Sequence, residues 1–324
     1  MKRPMQRRHT RGAALLTAMI IVTLVASLAA GMVWQQYRAV QIEAADRARA
    51  QSGWILQGAL DWARLILRED AQANRSKPVD HLGEPWAVPL AEARLSTFLA
   101  ADRGNASDDD GPEAFLSGFI EDAQARYNLR NLVVAEPVAQ ARELRTLERL
   151  CQMVNTPPGT ATLIANNLRA AFPALQKKEA DANTPLQPAG IDELGWLGVP
   201  ADTIARLRPF VVLLPAATKV NLNTAPREVI AALFDGMDLA SAERLVQARK
   251  TRPLQKPEDA QSYMPGEVTV DNNRASVDSA FFFVTGRLRL DERQLEQRSL
   301  IQRQELVMKV LARERVSQLL DTPR

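Results

Sequence analysis

Cysteine and histidine are almost absent from this chain of 324 residues. Cys151 is the single cysteine, which excludes an intramolecular disulfide, and its apolar neighbours predict a small buried residue instead of a reactive thiol. His9 lies in a basic N-terminal stretch and His81 in a proline-rich segment, so no histidine pair is available for a metal or a nucleophile relay. GxSxG, HExxH, CxxC and P-loop motifs are also missing. The sequence therefore does not indicate an enzyme, although catalysis by a pair of carboxylates stays open.

Acidic residues are missing from the first 12 positions, and charge of either sign is missing from the next 22. The stretch Met1–Gly12 carries five basic residues, whereas Ala13–Trp34 is uniformly uncharged and mainly apolar. At about 1.5 Å per helical residue, this run is long enough to cross the ~30 Å hydrocarbon core of a bilayer. Basic residues before the run predict one membrane pass with the N-terminus in the cytoplasm.

Three interpretations of this N-terminal segment are open. A secretory signal peptide is disfavoured, because the apolar run is long and ends in no clear cleavage site. An uncleaved signal anchor fits the residues. A prepilin leader fits as well, since in that class the cut follows a glycine and precedes the apolar helix. The predicted cut then lies between Gly12 and Ala13.

Proline is absent between Pro4 and Pro78, and this gap predicts one long helix. Beyond Trp34 the apolar residues recur at helical spacing, with arginines and acids between them. A continuous helix from about Ala13 to Ala73 would be ~90 Å long. One half in lipid and one half on a folded domain is typical of a pilin subunit.

The rest of the chain has a globular composition, with 46% hydrophobic and 24% charged residues. Its length predicts two domains beyond the membrane run. Removal of the leader would leave 36 basic against 38 acidic residues, so the net charge of +3 becomes −2. That balance gives no support to binding of a polyanion.

The pattern after the long helix predicts a helical domain inserted into a small antiparallel sheet. A short helix is expected over Leu90–Ala100 and a strand over Ala114–Ile120. Two strands follow the helical block, Ser279–Leu290 and Ser299–Ala312, with Asp291–Gln297 as their connection. The predicted helices of the block are Gln140–Val154, Gly159–Phe172, Ile191–Leu194, Ala201–Phe210, Ala225–Phe234, Leu239–Arg249 and Pro257–Tyr263.

Residues 219–260 are similar to a helix-hairpin-helix unit, in which Asn223 and Thr224 are predicted to cap a helix that has Pro226 near its start. Such units bind DNA through two hairpin glycines, whose backbone N–H groups meet a phosphate. Here Gly236 is present, but Asp238 stands in place of the second glycine and would repel a phosphate. A structural scaffold is therefore favoured over DNA binding.

Three motifs together resemble the type II secretion system minor pseudopilin K family, also called general secretion pathway protein K. They are Arg11–Leu16 (RGAALL), Gly118–Leu132 (GFIEDAQARYNLRNL) and Val220–Ala225 (VNLNTA). The second departs from the family pattern at Tyr127, where phenylalanine is usual, and at Arg130, where asparagine is usual. The resemblance runs in order along nearly the whole chain.

The fold expected from the pattern and the resemblance is α+β. A pilin-like N-terminal helix packs on a small antiparallel sheet, and a large all-α domain of helix-hairpin-helix or SAM-like type is inserted between strands. The expected parts are a cleaved leader (1–12), a transmembrane segment (13–34), a pilin-like periplasmic domain (35–128 and 270–324) and the inserted domain (129–269).

The resemblance implies a non-enzymatic minor pseudopilin at the tip of a periplasmic pseudopilus, where it initiates or caps assembly for the export of folded proteins. It implies a single-pass protein of the bacterial inner membrane, with most of the chain in the periplasm. The implied partners are prepilin peptidase and the minor pseudopilins I and J, with no nucleic acid. The contact with I and J is expected through the Trp34–Leu67 part of the helix and the face of the soluble part. Methylation of the new amine at Ala13 is also implied. Two alternatives stay open: a minor pilin of a type IV pilus or DNA-uptake system, and a periplasmic enzyme held by an uncleaved anchor.

The fifth position after the cut is Thr17, where most pilins and pseudopilins carry glutamate. That glutamate is thought to pair with the N-terminal amine of a neighbouring subunit, and the family resembled here lacks it, which implies a place at a filament end. A tolerated small polar residue bonded to its own helix is the other interpretation.

Calcium is the one metal under consideration, because family members often carry an acidic calcium-associated segment. This chain is shortened there, and Glu179 with Asp181 is a thin substitute. The acidic run Asp108–Asp110 is typical of a solvated loop. No ligand is assigned and no cofactor is expected.

Overall fold

The structure is a computed structural model that describes residues 11–95, 114–176, 179, 183–290 and 293–319. The chain divides into two compact units, Met1–Gln57 and Gly58–Arg324. Helix α1 spans Arg11–Ala73, so all described residues of the first unit are helical. This confirms the long helix that the absence of proline predicts.

The second unit contains a five-stranded antiparallel sheet whose strands are, in spatial order, β1 (Leu90–Arg94), β2 (Ala114–Asp122), β7 (Phe281–Leu290), β8 (Arg293–Gln304) and β9 (Val307–Leu319). The chain leaves this sheet after β2 and returns to it at β7, and the helical domain lies between them in sequence. The α+β class and the inserted helical domain are thereby confirmed.

The end of α1 packs on one face of this sheet. Leu60, Ala63 and Leu67 recur at helical spacing and are buried, so they form one apolar stripe. The stripe belongs to a cluster in which the Trp86 and Phe282 rings meet edge to face, with centroids 5.4 Å apart. The sheet contributes Val284, Ile301 and Met308 to the same cluster.

Two sequence predictions in the sheet are wrong. The segment predicted as helix Leu90–Ala100 begins as strand β1, which pairs with β2; residues 96–100 lie outside the described ranges. The segment predicted as one strand, Ser299–Ala312, is a hairpin that turns at Glu305 and Leu306. Strand β8 also begins at Arg293, inside the predicted connection. Pairing with a neighbouring strand outweighed local helix propensity in the first case.

The helical domain has α-helices of 7 to 17 residues around its own apolar core. Its α-helices are α2 (Pro137–Met153), α3 (Thr160–Ala171), α4 (Ala201–Leu207), α5 (Arg227–Leu233) and α6 (Leu239–Thr251). The predicted helices Ile191–Leu194 and Pro257–Tyr263 are 3₁₀ segments, Ile191–Leu197 and Pro257–Tyr263. Cys151 is buried in the core of this domain, as predicted.

Two short parallel strand pairs were not predicted from the sequence. The first joins β3 (Tyr127–Asn128) to β4 (Val211–Val212), and the second joins β5 (Val220–Asn221) to β6 (Ala275–Ser276). Both bring segments that are distant in sequence to the region where the chain enters and leaves the helical domain.

Candidate functional site

The predicted processing positions lie at the start of α1. Gly12 and Ala13 are in its first turn, since the helix begins at Arg11, and residues 1–10 lie outside the described ranges. Thr17 lies one turn further on and is exposed, and its hydroxyl donates to the carbonyl oxygen of Ala14 at 3.0 Å. Cleavage and the filament contact stay predictions.

Helix α1 is long and apolar enough to cross a membrane, which agrees with the predicted span. The hydroxyls of Thr23 and Ser27 donate to carbonyl oxygens of their own helix, Thr23 to Met19 and Ile20, and Ser27 to Thr23. With Thr17, these are the hydroxyl groups of the predicted span. Internal bonds of this kind satisfy polar groups in hydrocarbon, where water is absent.

The motifs Gly118–Leu132 and Val220–Ala225 meet in the second unit, at a polar junction centred on Asp122. Its carboxylate is buried and accepts four hydrogen bonds. Oδ1 accepts from the Gln124 N–H at 2.7 Å, and Oδ2 accepts from Thr224 Oγ1 at 2.6 Å, Ser279 Oγ at 2.7 Å and Asn221 Nδ2 at 3.0 Å. Burial raises the pKa of Asp122, and these hydrogen bonds oppose that rise.

Three amide side chains extend this junction: Gln124, Asn128 and Asn131. Asn131 pairs both ways with the backbone of Thr218, donating to its carbonyl at 2.8 Å and accepting from its N–H at 3.0 Å. The other two bind backbone in the same manner. Gln124 donates to Lys219 O and accepts from Ala280 N–H, and Asn128 donates to Ala216 O and accepts from Leu214 N–H.

A buried ion pair between Glu143 and Arg274 accepts a hydrogen bond from Tyr127 of β3. The Tyr127 hydroxyl donates to Glu143 Oε2 at 3.0 Å, and Arg274 Nε donates to Glu143 Oε1 at 2.9 Å. Burial and the neighbouring Glu143 carboxylate raise the pKa of Tyr127 well above its usual value. Tyr127 is therefore a neutral donor in the core of the helical domain.

The polar junction was not predicted as a site, although two of the recognised motifs supply it. Sequence shows which residues recur in a motif but not which distant residue each one binds. The prediction that Asn223 and Thr224 cap a helix is wrong. Helix α5 follows Pro226 without a side-chain cap, Asn223 pairs with the Leu254 backbone, and Thr224 binds Asp122.

Gly236 and Asp238, in the hairpin between α5 and α6, both have structural roles. Gly236 has a φ of 82°, a left-handed conformation that favours glycine. Asp238 caps α6: its Oδ1 accepts from the Ser241 N–H at 2.7 Å and its Oδ2 from the Ser241 hydroxyl at 3.0 Å. These bonds lower the pKa of Asp238. The carboxylate that replaces a glycine thus stabilises the helix start.

A carboxylate cluster formed by Asp70, Asp80 and Glu84 is the group in the described residues with the spacing of a metal site, its oxygens within 4.8 Å of one another. Arg303 at the end of β8 donates to Asp70 at 3.0 Å and also to Asp80. Among the calcium candidates, Asp108–Asp110 and Asp181 lie outside the described ranges, and Glu179 is exposed. Calcium binding stays a prediction.

Comparison with known families gives two matches with one description. Profiles described as "Type II secretion system (T2SS), protein K" match residues 125–216 and 220–278. These two ranges cover the helical domain and the motif Val220–Ala225.

Individual relatives carry the same description along the full chain. The type II secretion system protein K of Pseudomonas aeruginosa is 29% identical, over 92% of this chain and 90% of the relative. That of Klebsiella pneumoniae is 28% identical, over 91% and 93%.

A solved structure shares the fold. It is the crystal structure of the GspK-GspI-GspJ complex of the type 2 secretion system from enterotoxigenic Escherichia coli. The similarity has a TM-score of 0.58 at 21% identity and covers 84% of this chain and 98% of that chain.

Proposed function

The chain belongs to the type II secretion system protein K family, and on that premise we propose that it is a minor pseudopilin at the tip of a periplasmic pseudopilus. There it initiates or caps assembly for the export of folded proteins and performs no catalysis. The observation that supports this most is the match of both family profiles within 125–278, because that range contains the inserted helical domain.

The membrane part of the proposal depends on α1. We infer that the helix anchors the chain in the inner membrane with its N-terminus in the cytoplasm. Basic residues precede the apolar run, and the helix is long enough to span. Prepilin peptidase would cut between Gly12 and Ala13, and the Ala13 amine would then be methylated.

The proposed partners are the minor pseudopilins I and J of the same system. The structural neighbour was solved as a complex of three proteins named GspK, GspI and GspJ, which supports equivalent partners for this chain. The proposed tip position draws on Thr17, which offers no carboxylate to the amine of another subunit. The Thr17 hydroxyl is engaged by Ala14 of its own helix.

The proposal is tested in a strain that lacks this chain, by complementation and by isolation of the tagged protein from detergent-solubilised membranes. We expect the wild-type chain to restore export of a folded substrate and to bring I and J with it. Thr17→Val and Thr17→Ser should both restore export, because what matters at this position is the absence of a carboxylate. Restored export without association with I and J would contradict the proposal, as would loss of export in Thr17→Val at normal protein level.

A further inference from the structure

The carboxylate cluster holds more negative charge than its surroundings neutralise. Asp70, Asp80 and Glu84 are all buried, at 9%, 1% and 7% exposure, and Arg303 is the guanidinium that contacts the two aspartates. Glu84 accepts hydrogen bonds from neutral donors: Oε2 accepts from Trp86 Nε1 at 2.7 Å and from the His81 N–H at 2.9 Å, and Oε1 accepts from Asn74 Nδ2 at 2.9 Å. The His81 ring lies 4.0 Å from Oε1. Asp70 and Asp80 therefore share one guanidinium.

One oxygen of Asp80 has no hydrogen-bond donor among the described residues. Its Oδ2 accepts from the Ser279 N–H at 2.7 Å and from Arg303, whereas its Oδ1 is buried without a partner in that part of the chain. A buried carboxylate oxygen without a donor is costly, and a proton shared with a neighbouring carboxyl group removes that cost. Burial raises the pKa of Asp80 to about 7 against the opposing effect of Arg303, and it also raises the pKa of Asp70.

We propose that Asp70 and Asp80 share one proton, and that loss of this proton at rising pH loosens the end of α1 and the segment 74–84 from the sheet. The carboxylate cluster then acts as a proton-dependent clasp. The charged and titratable groups around Asp80 are Asp70 and Arg75 from the end of α1 and the turn after it, His81 and Glu84 from the segment that follows, Asp122 from β2, Asp278 before β7, and Arg303 and Glu305 from the β8–β9 hairpin.

The backbone of Asp80 is hydrogen-bonded to two segments that are distant in sequence. Its N–H donates to Val277 O at 2.8 Å, and its carbonyl accepts from Asn221 Nδ2 at 3.1 Å. Since Asn221 also binds Asp122, the clasp is continuous with the polar junction. A cavity of about 400 Å³ beside it, lined by Asn74, Asp80 and Arg303 among others, has room for the water that a second charge requires.

A divalent cation is the competing way to neutralise the cluster. The space between the oxygens is filled by Asn74, whose Nδ2 lies 2.9 Å from Glu84 Oε1, 3.3 Å from Asp70 Oδ1 and 3.4 Å from Val79 O. A cation would have to displace this amide, so the geometry favours the proton.

The direction of the pH effect follows from linkage. The unfolded carboxyl has a pKa near 3.8 and the folded Asp80 a pKa of about 7, so the folded state binds the proton more tightly. Its stabilising contribution is complete below the unfolded pKa and is lost as pH rises to about 7, beyond which the effect levels off. The opening equilibrium of the clasp can then rise by up to tenfold per pH unit in this window.

The test is amide hydrogen exchange of the full chain in detergent micelles at pH 5.0 and 7.5, corrected for the intrinsic exchange rate. In the wild type we expect segment 74–84 to lose at least about tenfold in protection at the higher pH. Asp80→Asn, which carries the uncharged form permanently, should show no pH response. Asp278→Asn, an exposed acid on the same cavity, should respond like the wild type.

Two results would overturn the proposal directly: no change in the protection of segment 74–84 with pH in the wild type, or an equal change in Asp80→Asn. A third would be an effect of calcium: 1 mM calcium restores protection at pH 7.5 in the wild type and has no effect on Asp80→Asn. The last result would assign the cluster to a cation. If Asp80→Asn fails to fold, Asp70→Asn replaces it. Arg303 then pairs with Asp80 alone, so the loss of protection between pH 5.0 and 7.5 should be smaller than in the wild type, and an undiminished loss would overturn the proposal.

Discussion

Asp122 lies at the centre of the hydrogen bonds that the sheet and the helical domain share. Its partners Asn221, Thr224 and Ser279 lie 99 to 157 positions further along the chain. All are buried, so any of them that loses its acceptor has no water to replace it.

Asp122→Ala should therefore lower the free energy of unfolding by at least about 2 kcal/mol, since a buried donor left unsatisfied costs about 1–3 kcal/mol. Chemical denaturation followed by circular dichroism measures this. Asp202→Ala is the control, because its exposed carboxylate lies 3.9 Å from Arg206 at the surface and should contribute less than about 1 kcal/mol. Equal losses in both variants would show that the junction has no special importance.

Gly118 is required by the close approach of β2 to β7. A Cβ at this position would lie 2.6 Å from the Thr285 carbonyl oxygen, a backbone atom that cannot move independently. Gly118→Ala should destabilise the fold by about 1–3 kcal/mol through overpacking. Gly58→Ala, in open space on α1, should be neutral or stabilise by up to about 1 kcal/mol. Thermal unfolding distinguishes the two, and a neutral Gly118→Ala would contradict the tight strand contact.

At the scale of elements, α6 begins where Asp238 accepts hydrogen bonds from Ser241. Asp238→Ala removes this cap, so the amides of residues 239–242 should exchange faster with solvent while those of α2 are unchanged. Asp238→Asn retains a side-chain acceptor and should exchange like the wild type. Measurement of both variants by hydrogen exchange decides the point; unchanged exchange in Asp238→Ala would mean that the carboxylate does not hold the helix start.

Element types were predictable wherever local sequence agrees with the fold. The long helix follows from a proline-free apolar run, and strand β7 and helices α2 and α3 from the spacing of apolar residues. The β8–β9 hairpin was missed because its turn, Glu305 and Leu306, lacks glycine, asparagine and aspartate. Glu305 adopts a φ of 52°, and glutamate is not a residue type from which a positive φ is predicted.

The site was less predictable than the fold. Gly118–Leu132 and Val220–Ala225 were recognised as motifs, but their contact depends on tertiary structure that brings β2, β5 and the start of β7 together. The carboxylate cluster was not predicted, because its partner Arg303 lies 223 positions after Asp80 in the sequence.

At the scale of the whole molecule, the resemblance drawn from three motifs is confirmed by two family profiles and by relatives that match more than nine-tenths of the chain. A helix able to span a membrane precedes a sheet and an inserted helical domain. The proposed pseudopilin requires one covalent event that an ordinary anchored protein does not undergo, namely removal of the basic leader.

The N-terminal mass of the chain, isolated from cells with active prepilin peptidase, tests this requirement most directly. The proposal predicts a mature chain that begins at Ala13, carries one added methyl group and lacks residues 1–12. Recovery of the chain with its Met1 leader intact would contradict it and would support an uncleaved signal anchor.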